Sequence, residues 1–183
     1  IEKLSANIHV YSCDVSKPEE TKKLFIFIKN NFHNLNGIIH AAGVSATHIK
    51  DNPELITAEI FNAKLFGTFN LLNYSKIFNL DFLLLCSSLT SIVGTIGNGA
   101  YSAANAYLDI LAQNKSLPHI AKIFTINWNQ LSDVGMAANF IKLHGGEISE
   151  NSINSLKAVE IIDNTLQSNF NQIVISKLPL EET

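Results

Sequence analysis

Short apolar runs of strand length alternate along this chain with longer segments of helical periodicity. The clearest run, FLLLC at 82–86, is continuously apolar, as expected of a parallel strand that is covered on both faces. The predicted strands are 8–13, 37–41, 82–86, 122–128 and 173–176, and the predicted helices are 16–32, 53–78, 100–115, 136–143 and 152–167. This alternation favours an α/β fold with helices on both faces of a parallel sheet, and a ligand site at the carboxyl ends of the strands.

Length and charge narrow the class of protein. With 183 residues, 46% of them hydrophobic, the chain can bury one substantial core, which favours a single domain. Thirteen basic and sixteen acidic residues give a formal charge of −3, too balanced to indicate a nucleic-acid binder or a membrane-surface protein. Because no apolar run reaches the roughly 20 residues of a membrane span, we expect a soluble, cytoplasmic protein with a small or carrier-borne substrate.

Cysteines and histidines do not indicate a metal centre. Cys13 and Cys86 both lie in apolar runs, where a buried free thiol is expected rather than a disulfide or a metal ligand. The six histidines show neither H-x-H nor H-E-x-x-H spacing. We therefore predict no metal site.

Small and polar residues gather at the ends of three predicted strands. These are H-A-A-G at 40–43, C-S-S at 86–88 and I-N-W at 126–128, and in a parallel sheet they should converge on one crevice. Tyr101 and Asn105 follow on the next helix, and their i,i+4 spacing puts both on one face, which can line a pocket.

This set of residues suits acid catalysis at a carbonyl. A tyrosine phenol can act as a general acid if a neighbouring group lowers its pKa, and the ammonium of Lys64 is the candidate for that role. The Ser88 hydroxyl can hold a carbonyl oxygen beside Tyr101, and Asn105 would complete a polar network.

Two stretches, FNAKLFGTFNL at 61–71 and CSSLTSIVGTIGNGAYSAANAYLD at 86–109, resemble the ketoreductase domains of modular polyketide synthases and their hybrid peptide-synthetase relatives. The resemblance implies the Rossmann-like, doubly wound parallel sheet of short-chain dehydrogenase/reductases. It also implies a catalytic tetrad, which falls on Lys64, Ser88, Tyr101 and Asn105. Stand-alone reductases of this superfamily carry a lysine four residues after the tyrosine, whereas this chain has Asn105 there and its lysine upstream, as assembly-line ketoreductases do.

The same resemblance implies NADP(H) as cofactor. Asp14 and Val15 would border the adenine, and the segment after Trp128 would approach the nicotinamide and the substrate. The remaining residues expected to contact the cofactor are His40, Ala41, Ala42, Gly43, Lys64 and Tyr101. Each of three residues also has a purely structural interpretation: Asp14 as a turn cap, His40 as a satisfied strand-end histidine, and Trp128 as part of the core.

One part of the family pattern is absent from this sequence. No G-x-G-x-x-G turn for a pyrophosphate is present, and the family places that turn upstream of the strand predicted at 8–13. We therefore interpret 1–183 as a single partial ketoreductase domain that lacks the first two βα units, including the phosphate-binding βαβ. The predicted strand 8–13 would then be an unsupported edge, and cofactor binding and folding would depend on the missing N-terminal half of the domain.

The function implied by the resemblance is NADPH-dependent reduction of a β-ketoacyl thioester to the β-hydroxyacyl thioester. The implied partners are an acyl carrier protein, which presents the substrate on phosphopantetheine, and neighbouring synthase domains. Two alternatives stay open: a stand-alone short-chain reductase of a small ketone, and a catalytically silent fragment or scaffold of a synthase.

Overall fold

The fold is a parallel α/β arrangement, seen in a computed structural model that describes residues 6–44, 53–114 and 116–180. Its strands are β1 (Gly37–His40), β2 (Leu80–Ser88), β3 (Ile120–Trp128) and β4 (Gln172–Val174). Its α-helices are α1 (Pro18–Phe32), α2 (Pro53–Phe61), α3 (Gly67–Tyr74), α4 (Thr90–Val93), α5 (Gly99–Asn114), α6 (Gly135–His144) and α7 (Ser155–Gln167). The alternation predicted from the sequence is confirmed over the described part of the chain.

The strands form one sheet in the order β1-β2-β3-β4, and each neighbouring pair is parallel. Leu85 in β2 pairs with His40 in β1 and with Thr125 in β3, so the three strands end close to one another. Because all pairs are parallel, their carboxyl ends share one edge of the sheet.

Helices cover both faces of the sheet. Successive residues of β2 point to opposite faces, and Leu83 and Leu85 join one buried cluster while Leu84 joins the other. The first cluster includes Phe25 of α1, Leu71 of α3 and Leu108 of α5. In the second cluster, Leu84, Phe124 and Ile126 pack against Ile161, Ile162 and Leu166 of α7. Cover on both faces explains why β2 has no alternating polar residues.

The helix predicted at 53–78 is interrupted. A π-helical turn, Asn62–Phe66, separates α2 from α3, and a 3₁₀ turn, Ser75–Ile77, follows α3. The irregular turn ends directly before Gly67. A π turn carries an extra residue, which rotates the side chains that follow it, and such turns are frequent at functional sites. Here the π turn contains Lys64.

The predicted strand at 8–13 is wrong, because these residues form no ladder pairing. Val10 is 94% exposed, and the segment contacts α1 through its rings, His9 against Phe32 and Tyr11 against Phe27. A strand is stabilised by its neighbours, and β1 pairs only with β2 among the described residues, so no neighbouring strand is available.

Three smaller differences from the sequence predictions are also seen. Helix α1 begins at Pro18 rather than at position 16; its N-cap Lys17 makes no side-chain cap, and the Ser16 hydroxyl donates to Asp14 Oδ1. The short helix α4 was not predicted. Cys13 is free, as predicted, but it is neither in a strand nor fully buried.

No helix in the described ranges is both long and apolar enough to cross a bilayer.

Candidate active site

The carboxyl edge of the sheet opens into a cavity of about 770 Å³. It is lined by Ala41 after β1, by Cys86, Ser87 and Ser88 at the end of β2, and by Trp128 at the end of β3, together with Lys64, Tyr101 and residues of α6. The three strand ends therefore converge as the sequence predicted. Three of the four residues of the expected tetrad line this one cavity.

Lys64 reaches the cavity from the π turn. Only 3% of the residue is exposed, and Nζ donates to the backbone carbonyl of Cys86 at 2.9 Å. Burial lowers the pKa of the ammonium to about 8, although the nearby Cys86 and Asp109 act in the opposite direction. Lys64 is therefore a buried cation near its titration point, not a solvated surface charge.

Tyr101 lies in the first turns of α5, with its ring 5.8 Å from Lys64 Nζ. The sequence predicts that a neighbouring ammonium lowers the pKa of the phenol. Instead burial raises that pKa, and hydrogen bonding with the Asn105 and Ser88 side chains opposes the rise only in part. The net shift is upward because burial is its largest cause, and the Lys64 ammonium, which donates to the Cys86 carbonyl and lies over the tyrosine ring, does not reverse it.

Ser88, the last residue of β2, presents its hydroxyl in the cavity. Its Oγ accepts from the backbone N–H of Thr90 at 3.3 Å and from the Thr90 hydroxyl at 3.0 Å. Its own hydroxyl hydrogen can donate to the phenol of Tyr101 or, in its place, to a substrate oxygen.

Asn105 does not line the cavity, so the expected pocket face contains Tyr101 without Asn105. The residue is fully buried, and its Nδ2 donates to the backbone carbonyl of Tyr101 at 2.8 Å. Its amide thus fixes the helical turn that carries the tyrosine.

The residues expected to contact a cofactor divide between two cavities. Val15, His40, Ala41 and Ala42 line a second, mostly apolar cavity of about 290 Å³ beside β1. Ala41 lines both cavities and so marks the boundary between them. Asp14 lines neither of them; its carboxylate accepts from the backbone N–H and the hydroxyl of Ser16, as in a turn cap.

His40 and Gly43 pack around the π turn. The His40 imidazole is buried, its Nε2 has no hydrogen-bond partner, and burial together with Lys64 lowers its pKa to about 4. His40 is thus not a fully satisfied strand-end histidine. A Cβ on Gly43 would lie 3.3 Å from Lys64 Cε, so the glycine leaves room for the lysine side chain.

Two parts of the site were not assigned from the sequence. Helix α6 was predicted, but nothing in its pattern indicated that Met136, Phe140 and Ile141 line the cavity. Asp109 is buried beneath the site and was assigned no role, although it follows Tyr101 and Asn105 at successive four-residue steps. That spacing was the available signal, because it places all three residues on one helical stripe.

A parallel α/β sheet with a serine, a tyrosine and a lysine around a cavity at its carboxyl edge defines the class of short-chain dehydrogenase/reductases. The particular family follows from comparison with known proteins. The family model described as KR domain matches residues 1–133. The chain belongs to this family, the ketoreductase domains of polyketide synthases.

Relatives agree with this assignment. The phenolphthiocerol synthesis polyketide synthase type I Pks15/1 of Mycobacterium marinum is 31% identical over 179 residues, which cover 94% of this chain and 8% of that protein. A second relative, from Mycobacterium tuberculosis, is named "Putative inactive phenolphthiocerol synthesis polyketide synthase type I Pks1". It is 31% identical over 88% of this chain and 10% of its own length. The chain thus spans a small fraction of these large proteins.

Solved structures agree on the fold. An N-terminal ketoreductase from the macrolactin assembly line has a TM-score of 0.77 and 28% identity, over 96% of this chain and 35% of that one. The protein ElxO, solved with NADP bound, has a TM-score of 0.72 and 18% identity, over 92% of this chain and 76% of that one. At that identity the second likeness concerns the fold alone.

Proposed function

We propose that this chain supplies the catalytic residues for NADPH-dependent reduction of a carrier-bound β-ketoacyl thioester to the β-hydroxyacyl thioester. One observation carries the proposal: the side chains of Lys64, Ser88 and Tyr101 line a single cavity at the carboxyl edge of the sheet. Membership of the ketoreductase family supports the reaction type.

In the proposed reaction the β-carbonyl carbon gains a hydride and its oxygen gains a proton. NADPH supplies the hydride when it is bound. Ser88 donates a hydrogen bond to the carbonyl oxygen and holds it beside the phenol. Tyr101 then transfers its proton to that oxygen, which gives the hydroxyl product and leaves a phenolate.

Lys64 stabilises the charge that remains on Tyr101. An ammonium 5.8 Å from the ring centroid, in a site largely removed from water, interacts more strongly with a phenolate than it would in solvent. Burial keeps the phenol protonated until it reacts, because it raises the pKa of Tyr101. The two effects together favour a group that releases its proton only when the substrate oxygen accepts it.

The residues present fit a nicotinamide nucleotide. Lys64 Nζ uses one of its three donors on Cys86 and has two more for acceptors such as ribose hydroxyls. The unpartnered Nε2 of His40 is a further buried polar atom on the same strand end as Ala41. We propose that 40–43, Lys64 and Tyr101 hold the nicotinamide ribose, and that Asp14 and Val15 border the adenine.

We also propose that 1–183 forms part of one ketoreductase domain, whose phosphate-binding βαβ half lies elsewhere in the same polypeptide. The unpaired edge of β1 and the apolar cavity beside it support this, since a parallel strand there would complete the ladder. The chain covers only 35% of the solved macrolactin ketoreductase.

The proposed partners follow from the relatives. A chain that matches 8% of a polyketide synthase suits a domain among neighbouring synthase domains, with its substrate delivered on the phosphopantetheine of an acyl carrier protein. The test uses the full polypeptide that contains this chain, mixed with NADPH and a β-ketoacyl thioester of N-acetylcysteamine. We expect oxidation of NADPH and formation of the β-hydroxyacyl thioester.

The same assay distinguishes the alternatives. Reduction of a small cyclic ketone with higher kcat/KM than the thioester would favour a stand-alone type of reductase. An intact, folded polypeptide that oxidises no NADPH with either substrate would favour a silent domain.

A further inference from the structure

A buried carboxylate lies beneath the candidate active site. Asp109, on α5 two turns beyond Tyr101, is 5% exposed. Its Oδ2 accepts from the Ser91 hydroxyl at 2.6 Å and from Asn127 Nδ2 at 2.8 Å, while its Oδ1 has no partner. No lysine, arginine or histidine forms an ion pair with it within 6–44, 53–114 and 116–180.

The two donors connect Asp109 to the strand ends of the site. Asn127, near the end of β3, also contacts the Ser87 hydroxyl at 3.1 Å, and its Oδ1 accepts from Gln172 of β4 at 3.0 Å. Ser91 Oγ lies 2.8 Å from the backbone carbonyl of Ser88. The carboxylate thus bridges α5, which carries Tyr101, to the end of β2, which carries Ser88.

Geometry indicates which bond Ser91 makes. A hydroxyl has one hydrogen, so Ser91 can donate fully either to the Ser88 carbonyl or to Asp109. The contact with Asp109 is shorter, and a hydrogen bond to a charged acceptor is the stronger one. Asp109 therefore holds α4, which follows β2, against α5.

The buried negative charge of Asp109 lowers the free energy of unfolding unless other interactions compensate for it. Removing a carboxylate from water costs free energy that two hydrogen bonds offset only in part, and an apolar side chain of similar volume would fill the same space. A compensating interaction is available in the site itself, since the negative charge of Asp109 acts on Lys64 and raises the pKa of its ammonium against the effect of burial.

We propose that Asp109 is a positioning residue of the active site: its carboxylate locks the end of β2 against α5 through Ser91 and Asn127, and its buried negative charge lies on the helix that packs against the π turn of Lys64. This inference rests on the proposed function for its catalytic meaning. It assigns to Asp109 no contact with substrate or cofactor.

Several titratable groups surround Lys64, so the effect of Asp109 on the Lys64 pKa must be distinguished from the effects of the others. His40 faces it from β1, Cys86 from β2, and Tyr101 and Asp109 from α5. Of these, Asp109 is the carboxylate, so its removal should change the Lys64 pKa in a direction that loss of a neutral group would not.

The test compares Asp109→Asn with Asp163→Asn. An asparagine can keep both hydrogen bonds by placing its amide oxygen at the position of Oδ2, so the substitution removes the charge and preserves the shape. Asp163 is an exposed residue of α7, where its carboxylate accepts from Gln167. Its substitution is the matched control for loss of one negative charge.

Two readouts are made on the full polypeptide. The first is the pKa of Lys64, measured by NMR of isotope-labelled lysine side chains with Lys64→Arg as the assignment variant, and it requires no turnover. The second is kcat and KM for NADPH against pH. We expect Asp109→Asn to lower the Lys64 pKa, to move the alkaline limb of kcat to lower pH, and to reduce kcat about tenfold at neutral pH with little change in KM.

The outcomes are separable. A Lys64 pKa that is equal in the wild type, Asp109→Asn and Asp163→Asn would overturn the inference, even in a polypeptide that reduces the thioester. A lowered Lys64 pKa in a polypeptide that oxidises no NADPH would support the electrostatic role of Asp109 and count against the proposed function. Loss of kcat with no shift of the limb would show that Asp109 is structural only.

Discussion

Lys64 Nζ lies 5.8 Å from the centroid of the Tyr101 ring while donating a hydrogen bond to the carbonyl of Cys86. The two residues are 37 positions apart in sequence and come from different helical segments. The π turn brings Lys64 under the sheet edge, and Asn105 fixes the first turns of α5 beneath Tyr101. The phenol that we propose as the proton donor and the ammonium of Lys64 therefore face one cavity.

Replacing Tyr101, the proposed general acid, tests this relationship most directly. Tyr101→Phe removes the hydroxyl and keeps the ring, so we expect kcat for thioester reduction to fall by roughly 10²-fold or more. Tyr107→Phe, on the same helix but packed against the core, is the matched control. Steady-state oxidation of NADPH by the full polypeptide measures both, and unchanged turnover in Tyr101→Phe would remove the assignment.

The pH dependence of turnover should report Lys64. Its ammonium is present below about pH 8 and is lost as the pH rises through that value, whereas burial keeps the Tyr101 phenol protonated over the same interval. We therefore expect kcat/KM to decline on the alkaline side near pH 8. Lys64→Arg keeps a charge that does not titrate, so its residual activity should lack this limb. A wild-type profile that is flat to pH 10 would contradict the role of the ammonium.

Features of the fold and of the site could be predicted from the sequence where they depend on residues close together in the chain, and not where they depend on contacts between distant residues. The apolar run of β2 and the strand ends that carry Ala41, Ser88 and Trp128 were found, because burial on both faces of a parallel strand leaves a local pattern. The strand at 8–13 was predicted wrongly, because its residues have strand propensity but a strand forms only beside a neighbour.

In the candidate site, too, local patterns were predictable and contacts between distant residues were not. Lys64, Ser88 and Tyr101 were identified through a resemblance, and their placement around one cavity depends on the π turn, which no periodicity in 53–78 indicated. Asn105 was expected on the cavity wall and lies beneath it instead. The i,i+4 spacing predicts that two residues share a helix face, but not how deeply each side chain is buried. The network of Asp109 joins residues from α5, α4 and β3, and such long-range contacts have no local signal.

The space that Gly43 leaves for Lys64 can be tested by a single methyl group. A Cβ at position 43 would lie 3.3 Å from Cε and 3.6 Å from Nζ, so Gly43→Ala should displace the ammonium by a few tenths of an ångström. We expect about a tenfold loss of kcat, since small misplacements of catalytic groups are costly. Gly99→Ala, where a Cβ meets nothing within 4 Å, should leave kcat unchanged. Equal kcat in the two variants would argue against the close fit.

His40 should make the fold sensitive to acid. Burial and the nearby Lys64 lower its pKa from 6.5 to about 4, so the folded state holds the imidazole neutral while the unfolded chain binds a proton below pH 6.5. Stability is therefore fully present above pH 6.5 and is lost as the pH falls toward 4, by up to about 3 kcal/mol. His40→Asn cannot titrate, so urea unfolding of this variant should show a shallower decline over that interval than the wild type. Parallel curves for the two proteins would mean that folding does not lower the pKa of His40.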